Sequence, residues 1–313
     1  LVPTLDCFAR LQGHDVKVLQ GPTLAADALT AELKDAQALV LIRERTTLTR
    51  EIIERLPNLK HIAQTGRSTH HIDVKACTAR GITVSHGTHA SEHTIAEYTW
   101  ALILASRRQI AGHAGTMRRG EWLHAIGLGV HGKTLGIHGF GKIGSRVAAI
   151  GRAFGMRVIV WGSDEARVRA SAAGFDFASS KQALYAESDV LSLNLRLSDR
   201  TRHSITLADL ELMKPDALFV NTARAEIVAP DALVTALKRG RPGFAAVDVY
   251  ENEPVQNGDH PLLKLPNAIC TPHTAWLEPH TYEMYFGEAF EQAAAYAAGQ
   301  PVKLLNPGVA ARK

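Results

Sequence analysis

A glycine-rich turn between a predicted strand and a predicted helix constrains the fold more than any other feature of the sequence. Thr134–His138 is apolar enough for a buried strand. Gly139-Phe140-Gly141-Lys142-Ile143-Gly144 follows it, before a helical run to Phe154 and a second strand at Met156–Trp161. In this setting GxGxxG needs its glycines for a tight turn, for close approach of a phosphate and for packing of the helix on the strand. The sequence therefore predicts a βαβ unit that binds a dinucleotide through Gly139, Gly141, Lys142, Ile143 and Gly144.

The end of the second strand bears on which dinucleotide is bound. An acidic residue about 20 positions after the turn normally holds the ribose hydroxyls of NAD. This chain instead has Gly162 there, followed by Ser163 and then two acidic residues. We therefore expect NAD or NADP as the cofactor, with contacts from Gly162 and Ser163.

Strand and helix patterns alternate on both sides of a central helix. Short apolar runs occur at Val16–Leu19, Ala38–Ile42, His61–Ala63 and Gly81–Val84, and the alternation restarts at Thr134. A chain of 313 residues is long enough for two cores. Short strands separated by helices indicate parallel sheets covered on both faces. We predict an α/β protein with two Rossmann-like doubly wound parallel-sheet domains and a cleft between them.

Two helical segments set the expected domain bounds. Ser91–Arg107 has the pattern of one long helix with Ser91 as its N-cap, and Glu283–Ala298 is Ala-rich and helical up to a stop at Gly299. We expect the second segment to pack on the first domain. The substrate-binding domain is therefore predicted at residues 1–98 plus 283–313, and the dinucleotide-binding domain at residues 99–282.

Composition and charge argue against other classes of protein. Hydrophobic residues make up 46%, yet the longest apolar stretches, such as Ala36–Ile42, are far shorter than the roughly 20 residues that cross a bilayer. The formal charge of +4 comes from Lys and Arg scattered among acidic neighbours, so nucleic acid is not an expected partner. Three cysteines without CxxC spacing suit a reducing compartment. We expect a cytoplasmic protein without a membrane partner, and an opening strand upstream of Leu1.

Three further motifs resemble those of one enzyme family. They are Lys214–Arg224, which includes Val-Asn-Thr-Ala-Arg, then Ala246–Pro254, and then Thr271-Pro272-His273. Together with the glycine-rich turn they resemble the D-isomer-specific 2-hydroxyacid dehydrogenases over nearly the whole chain. The resemblance implies an NAD(P)-dependent oxidoreductase that transfers a hydride between the nicotinamide and C2 of a small D-2-hydroxy acid or 2-oxo acid.

The resemblance also implies three catalytic residues. Arg224 would bind the substrate carboxylate and polarise the C2 carbonyl, because its planar fork of donors suits a carboxylate. His273 would be the acid/base, since the C2 oxygen gains charge during reduction and histidine titrates near neutral pH. Glu253 would pair with the ring and favour the imidazolium. Further cofactor contacts are assigned to Thr222, Ala223 and Asp248.

Residues of the first domain are expected to face the substrate. Arg43 and the loop Gln64–Ser68 follow predicted strands, and open α/β sheets bind ligands beyond the carboxyl ends of their strands. We assign substrate contacts to Arg43, Gly66, Arg67 and Ser68, with backbone N–H groups of the loop offered to the carboxylate. Trp276 is a further candidate for the pocket, although a large aromatic residue also suits core or dimer packing.

One remaining motif resembles a metal-binding motif of zinc proteases. His89-Ala90-Ser91-Glu92-His93 matches an inverted zinc-protease motif. A catalytic zinc needs a third protein ligand, and His89 falls at the predicted helix start, so we expect no metal.

Pro272–Trp276 also resembles the C-terminal-binding-protein corepressors, which makes a non-enzymatic NAD(H)-sensing binding protein the alternative function. The segment Gln109–Lys133 carries apolar residues outside either core. We therefore predict a homodimer built largely from the second domain, with this segment and the helix Ser91–Arg107 in the interface.

Overall fold

The structure is a computed structural model that describes residues 2–21, 24–88, 91–123 and 125–312, except for the side chains of residues 310–312. The chain divides into two compact units, Leu1–Ala90 with Leu277–Lys313, and Ser91–Trp276. Both units contain a parallel sheet, which confirms the predicted α/β, Rossmann-like class. None of the helices in these described residues is long and apolar enough to span a membrane.

The first unit is built on a three-stranded parallel sheet in the order β1-β2-β3. Strand β2 is buried along its whole length, and Leu41, Ile62 and Val84 belong to one apolar cluster with residues of the covering helices. Helix α11 comes from the end of the chain. The elements are α1 (Ala26–Leu33), β1 (Ala38–Leu41), α2 (Arg50–Glu54), β2 (His61–Gln64), α3 (Val74–Ala79), β3 (Thr83–His86) and α11 (Pro279–Ala297), with 3-10 helices at Val2–Thr4, Asp6–Leu11 and Pro307–Arg312.

The predicted strand at Val16–Leu19 is wrong. Residues 16–19 have no regular secondary structure, and Val16 and Leu19 are both exposed. The run gains neither a strand partner nor burial. β propensity largely reflects the fit of a side chain to a half-buried sheet. Residues 16–19 lie in no sheet, so their β propensity does not produce a strand.

The second unit is built on a seven-stranded parallel sheet in the order β10-β9-β8-β7-β4-β5-β6. The chain moves outward from β4 to β6 and then returns to the other side of β4 at β7. The carboxyl ends of β4 and β7 therefore border the switch point where open α/β sheets bind ligands. The elements are α4 (Glu92–Arg107), α5 (Ile110–Arg118), β4 (Thr134–His138), α6 (Lys142–Ala153), β5 (Arg157–Trp161), α7 (Asp164–Ala172), β6 (Asp176–Phe177), α8 (Lys181–Glu187), β7 (Val190–Leu193), α9 (Leu207–Glu211), β8 (Leu218–Asn221), α10 (Ala232–Arg239), β9 (Phe244–Val247) and β10 (Ala268–Cys270), with 3-10 helices at Ala225–Ile227 and Pro261–Lys264.

Apolar side chains cover both faces of the larger sheet. Leu218 and Val220 of β8 pack in one cluster with Leu135, whereas Phe219 packs in the other with Leu191. The alternation follows from the two-residue period of a strand. Continuous apolar strands in this part of the sequence correspond to a sheet buried on both faces.

The bounds of the units differ from the expected 1–98 plus 283–313 and 99–282. Helix α4 lies wholly in the second unit, because Trp100, Leu102 and Ile103 belong to the core of that unit. Helix α11 lies wholly in the first unit and starts at Pro279 rather than Glu283. Its earlier start is explained by Glu278, whose carboxylate caps the first turn.

Candidate active site

The glycine-rich turn has the open shape that a pyrophosphate requires. Gly139 has φ +99°, and a Cβ there would lie 2.7 Å from the carbonyl oxygen of Asn194. A Cβ at Gly144 would lie 2.2 Å from the carbonyl oxygen of Gly139, whereas a Cβ at Gly141 would have no heavy atom within 4 Å. Gly141 is the N-cap of α6 and no side chain caps the helix there, so its first N–H groups suit an anion. The turn therefore fits the diphosphate of NAD or NADP.

Replacing Gly141 by alanine is expected to weaken cofactor binding by about tenfold or more without lowering Tm, because a methyl group would occupy the space of a phosphate. The protein alone has room for the methyl group, and φ of −90° is accessible to alanine. Fluorescence titration gives Kd for each cofactor. Gly129→Ala, at another glycine with open space around it, is the matched control. An unchanged Kd for Gly141→Ala would mean that the cofactor does not approach this turn.

The end of β5 packs closely on the same turn. A Cβ at Gly162 would lie 3.0 Å from Cβ of Ala166 and 3.7 Å from Cα of Gly139. Ser163 caps α7 by accepting the Ala166 N–H at 3.3 Å. Both residues that the sequence assigns to the cofactor thus lie beside the turn, and the strand end has no carboxylate to hold the ribose hydroxyls.

Lys142 and Ile143 begin helix α6 and differ in their surroundings. The exposed Lys142 ammonium lies 3.8 Å from a carboxylate oxygen of Glu92. Ile143 packs against the apolar core of the second unit. Of these two predicted cofactor residues, Lys142 offers a charged side chain and Ile143 offers only its backbone N–H.

The loop after β8 holds Arg224 through an asparagine that was not predicted. Asn221 is buried at the end of the strand, accepts the Ala223 N–H at 2.9 Å and donates to the Arg224 carbonyl at 3.1 Å. The Arg224 guanidinium donates to the Ala223 carbonyl at 2.7 Å. The Thr222 hydroxyl lies 2.9 Å from the hydroxyl of Thr99 on α4. The only signal in the sequence is a polar residue that ends an apolar strand, Leu-Phe-Val-Asn.

Asp248 follows β9 and holds the loop that carries His273. Its buried carboxylate accepts the Thr271 hydroxyl at 2.6 Å, the Thr274 N–H at 3.0 Å and the Ala275 N–H at 2.8 Å. Burial raises the pKa of Asp248, and these hydrogen bonds oppose the rise. The family resemblance assigned Asp248 to the cofactor, but the hydrogen bonds that its carboxylate makes to described residues go to this loop.

His273 lies on that loop in a left-handed backbone conformation, with φ 52°. Its Nδ1 lies 2.5 Å from Oε2 of Glu253, whose Oε1 accepts the Tyr250 N–H at 2.8 Å. The two side chains are 21% and 31% exposed, so a ligand can reach them. Because the carboxylate occupies Nδ1, proton exchange with a ligand falls to Nε2. Trp276 donates from its indole to the His273 carbonyl at 3.0 Å.

In the first unit, the predicted substrate residues lie on the loops after β1 and β2. Arg43 has φ 49° and Gly66 has φ 87°, and a Cβ at Gly66 would lie 3.8 Å from Cδ of Arg43. Arg67 donates to a backbone carbonyl of the loop after β3 at 2.9 Å. The Ser68 hydroxyl lies 2.8 Å from a ring nitrogen of His70. The structure therefore places Arg43 next to the loop that was predicted to bind the substrate carboxylate.

The zinc-protease-like motif has no metal-site geometry in the described part of the chain. His89 lies outside the described residues. Glu92 lies 3.8 Å from the Lys142 ammonium and 3.7 Å from the Arg146 guanidinium. Within residues 2–21, 24–88, 91–123 and 125–312, no group of three or more His, Cys, Asp or Glu side chains could hold a metal ion.

Comparison with known proteins identifies the family. Residues 100–275 match the model of the D-isomer specific 2-hydroxyacid dehydrogenase, NAD binding domain. The chain is 38% identical to a glyoxylate reductase of Aeropyrum pernix over 90% of this chain and 86% of that protein. It is 38% identical to a D-3-phosphoglycerate dehydrogenase of Methanocaldococcus jannaschii over 83% of this chain but 49% of that protein. A solved structure from Ralstonia solanacearum, described as a D-3-phosphoglycerate dehydrogenase oxidoreductase, superposes with a TM-score of 0.95 at 48% identity, covering 99% of this chain and 94% of that one. The chain belongs to the D-isomer-specific 2-hydroxyacid dehydrogenase family.

Family membership confirms the predicted class of reaction. The protein is an NAD(P)-dependent oxidoreductase that acts on a CH–OH group and transfers a hydride between the nicotinamide and C2 of a 2-hydroxy or 2-oxo acid. The relatives support the enzyme and not the alternative of a non-enzymatic NAD(H)-sensing corepressor.

Proposed function

We propose that His273, Glu253 and Arg224 form the catalytic centre for the reduction of a small 2-oxo acid to its D-2-hydroxy acid. The observation that carries the proposal is the 2.5 Å contact between Nδ1 of His273 and Oε2 of Glu253. His273 follows β10 and Arg224 follows β8 of one parallel sheet. Loops at the carboxyl ends of parallel strands lie at the same edge, where ligands bind.

Each of the three residues has a distinct part in this reaction. Glu253 holds the ring by Nδ1 and stabilises the imidazolium. His273 donates a proton from Nε2 to the C2 oxygen during reduction and takes it back during oxidation. Arg224 binds the carboxylate with two parallel N–H groups and polarises the C2 carbonyl. The nicotinamide, when bound, supplies or accepts the hydride.

The other contacts are assigned from the placement of each residue. Asp248 is proposed to position the loop at residues 271–275, because that loop supplies its hydrogen-bond donors. Cofactor contacts are proposed for Gly139, Gly141, Lys142, Ile143, Gly144, Gly162, Ser163, Thr222 and Ala223. Substrate contacts are proposed for Arg43, Gly66, Arg67, Ser68 and Trp276.

We propose short, unphosphorylated 2-oxo acids of the glyoxylate type as substrates. Two glyoxylate reductases are 38% and 35% identical to this chain, each over 90% of its length. The test is kcat/KM for glyoxylate, three-carbon 2-oxo acids and a phosphorylated 2-oxo acid, each with NADH and NADPH. We expect the unphosphorylated acids to be preferred. The two cofactors should differ by less than about tenfold, since Gly162 lacks the carboxylate that selects NAD. Exclusive use of the phosphorylated acid would contradict the substrate assignment, and turnover of none would contradict the function.

We propose that the second unit forms a homodimer. Trp122, Leu123 and Ile126 are 84%, 68% and 90% exposed. Large apolar side chains that cluster on a surface are typical of a protein interface. A second copy of this chain is the proposed occupant of the surface.

Ile126→Asp is expected to convert this dimer into a monomer at micromolar concentration, because a carboxylate buried without a partner costs several kcal/mol. Light scattering gives the molar mass. Leu263→Asp changes an exposed apolar residue of the same unit outside this segment, and it should leave the dimer intact. A monomeric wild-type protein would contradict the proposal.

We propose a cytoplasmic location. Cys7, Cys77 and Cys270 are free thiols, and the first two are buried. Free thiols without disulfides are typical of proteins from a reducing compartment.

A further inference from the structure

Helix α4 contacts both loops that carry the proposed catalytic residues, through two adjacent hydroxyl groups. The Tyr98 hydroxyl lies 2.8 Å from the hydroxyl of Thr274, the residue after His273. The Thr99 hydroxyl lies 2.9 Å from the hydroxyl of Thr222, in the loop after β8. Neither α4 residue belongs to a recognised motif or to the proposed substrate contacts.

The second contact of Thr99 fixes the direction of its hydrogen bond to Thr222. The Thr99 hydroxyl donates to the Ile95 carbonyl at 2.7 Å. A hydroxyl has one proton, so Thr99 Oγ1 accepts the proton of Thr222. Thr99 is fully buried. An apolar residue there would remove the acceptor that holds the loop leading to Arg224.

The contact of Tyr98 acts on a loop with a costly backbone conformation. His273 has φ 52°, a conformation that a histidine keeps only where its surroundings hold it. Asp248 holds the backbone through the N–H groups of Thr274 and Ala275. Tyr98 holds the Thr274 side chain. Asp248, which follows β9, and Tyr98 of α4 therefore hold neighbouring groups of the same loop.

We propose that Tyr98 and Thr99 are positioning residues that fix the spacing between His273 and Arg224. The inference rests on the proposed function, in which the histidine reaches the C2 oxygen and the arginine reaches the carboxylate of the same molecule. A misplacement of about 1 Å costs roughly 100-fold in rate. The two anchors are consecutive residues of one 16-residue helix, so they hold the two loops at a common distance.

The two anchors should have different kinetic signatures. Tyr98→Phe removes only the hydroxyl that contacts Thr274, the residue after His273. It should lower kcat about tenfold and change the pH profile while KM stays nearly constant. Thr99→Val loosens the carboxylate-binding loop, so it should raise KM for the 2-oxo acid about tenfold. Thr99→Ser keeps the hydroxyl and should restore wild-type kinetics. Thr274→Val removes the Tyr98 contact from the other side and should reproduce the Tyr98→Phe signature.

The controls separate positioning from stability. Thr116→Val changes a buried threonine of α5 whose hydroxyl donates to a backbone carbonyl, and it should leave kcat and KM unchanged. Cofactor Kd and Tm are measured for every variant. Wild-type kinetics in Tyr98→Phe and Thr99→Val, or equal losses in Thr99→Ser and Thr99→Val, would overturn the positioning role. His273→Ala is assayed in parallel. If that variant stays active, the proposed function fails and the positioning role fails with it; if it is inactive while the α4 variants are normal, only the positioning role fails.

Discussion

Replacing His273 by alanine is expected to lower kcat for the reduction of a 2-oxo acid by about 10²–10⁴-fold and to leave cofactor Kd almost unchanged. The imidazole would supply the proton at the C2 oxygen, whereas the turn at Gly139–Gly144 has the shape that binds phosphates. The two functions therefore belong to different loops of the sheet. Single-turnover kinetics measure hydride transfer, and fluorescence titration measures Kd. A variant that keeps more than about a tenth of wild-type kcat would exclude His273 as the acid.

A companion variant, Glu253→Gln, tests the contact between Nδ1 of His273 and Oε2 of Glu253. Glutamine keeps the size of the side chain but removes the negative charge beside Nδ1 of the ring. Because that carboxylate holds the ring in place, kcat for reduction should fall by about tenfold or more. Glu251→Gln is the matched control, because that carboxylate lies 3.0 Å from His260 instead. Wild-type kcat in Glu253→Gln would contradict the pairing.

The features that could be predicted from sequence depend on local patterns. The turn at Gly139–Gly144 requires a fixed spacing of glycines, and the strands on either side of it are short apolar runs. Both signals act over a few residues. The run at Val16–Leu19 carries the same local signal, but it pairs with none of the strands of the first unit's sheet, so the prediction there was wrong.

The contacts that support the candidate site could not be predicted, because they join residues far apart in sequence. Asp248 was expected to bind the cofactor because of the resemblance to the family. Its side chain instead accepts N–H groups from the loop after β10, and no pattern around residue 248 encodes that choice. The hydrogen bond between Thr99 and Thr222 likewise depends on α4 packing against the sheet.

The buried His138 is expected to make the second unit lose stability in acid. Burial lowers the pKa of this histidine, the last residue of β4, from the usual 6.5 to about 4. The folded state therefore keeps the ring neutral in a range where the unfolded chain binds a proton. Stability is fully present above about pH 6.5 and is lost as the pH falls toward 4, by about 3 kcal/mol for this one group.

His138→Gln should remove this part of the pH dependence. Glutamine does not titrate, and it keeps a hydrogen-bonding group near the Tyr185 hydroxyl, which lies 3.2 Å from Nδ1 of His138. All 4 tryptophans lie in the second unit, so urea unfolding followed by tryptophan fluorescence reports on that unit. His61 and His71, whose pKa values burial also lowers to about 4, belong to the first unit. His138→Gln should lose less stability than the wild type between pH 7 and pH 4.5. The control His14→Gln, at an exposed site, should lose as much stability as the wild type. Equal losses in His138→Gln and the wild type would mean that the folded protein binds a proton at His138 as readily as the unfolded chain does.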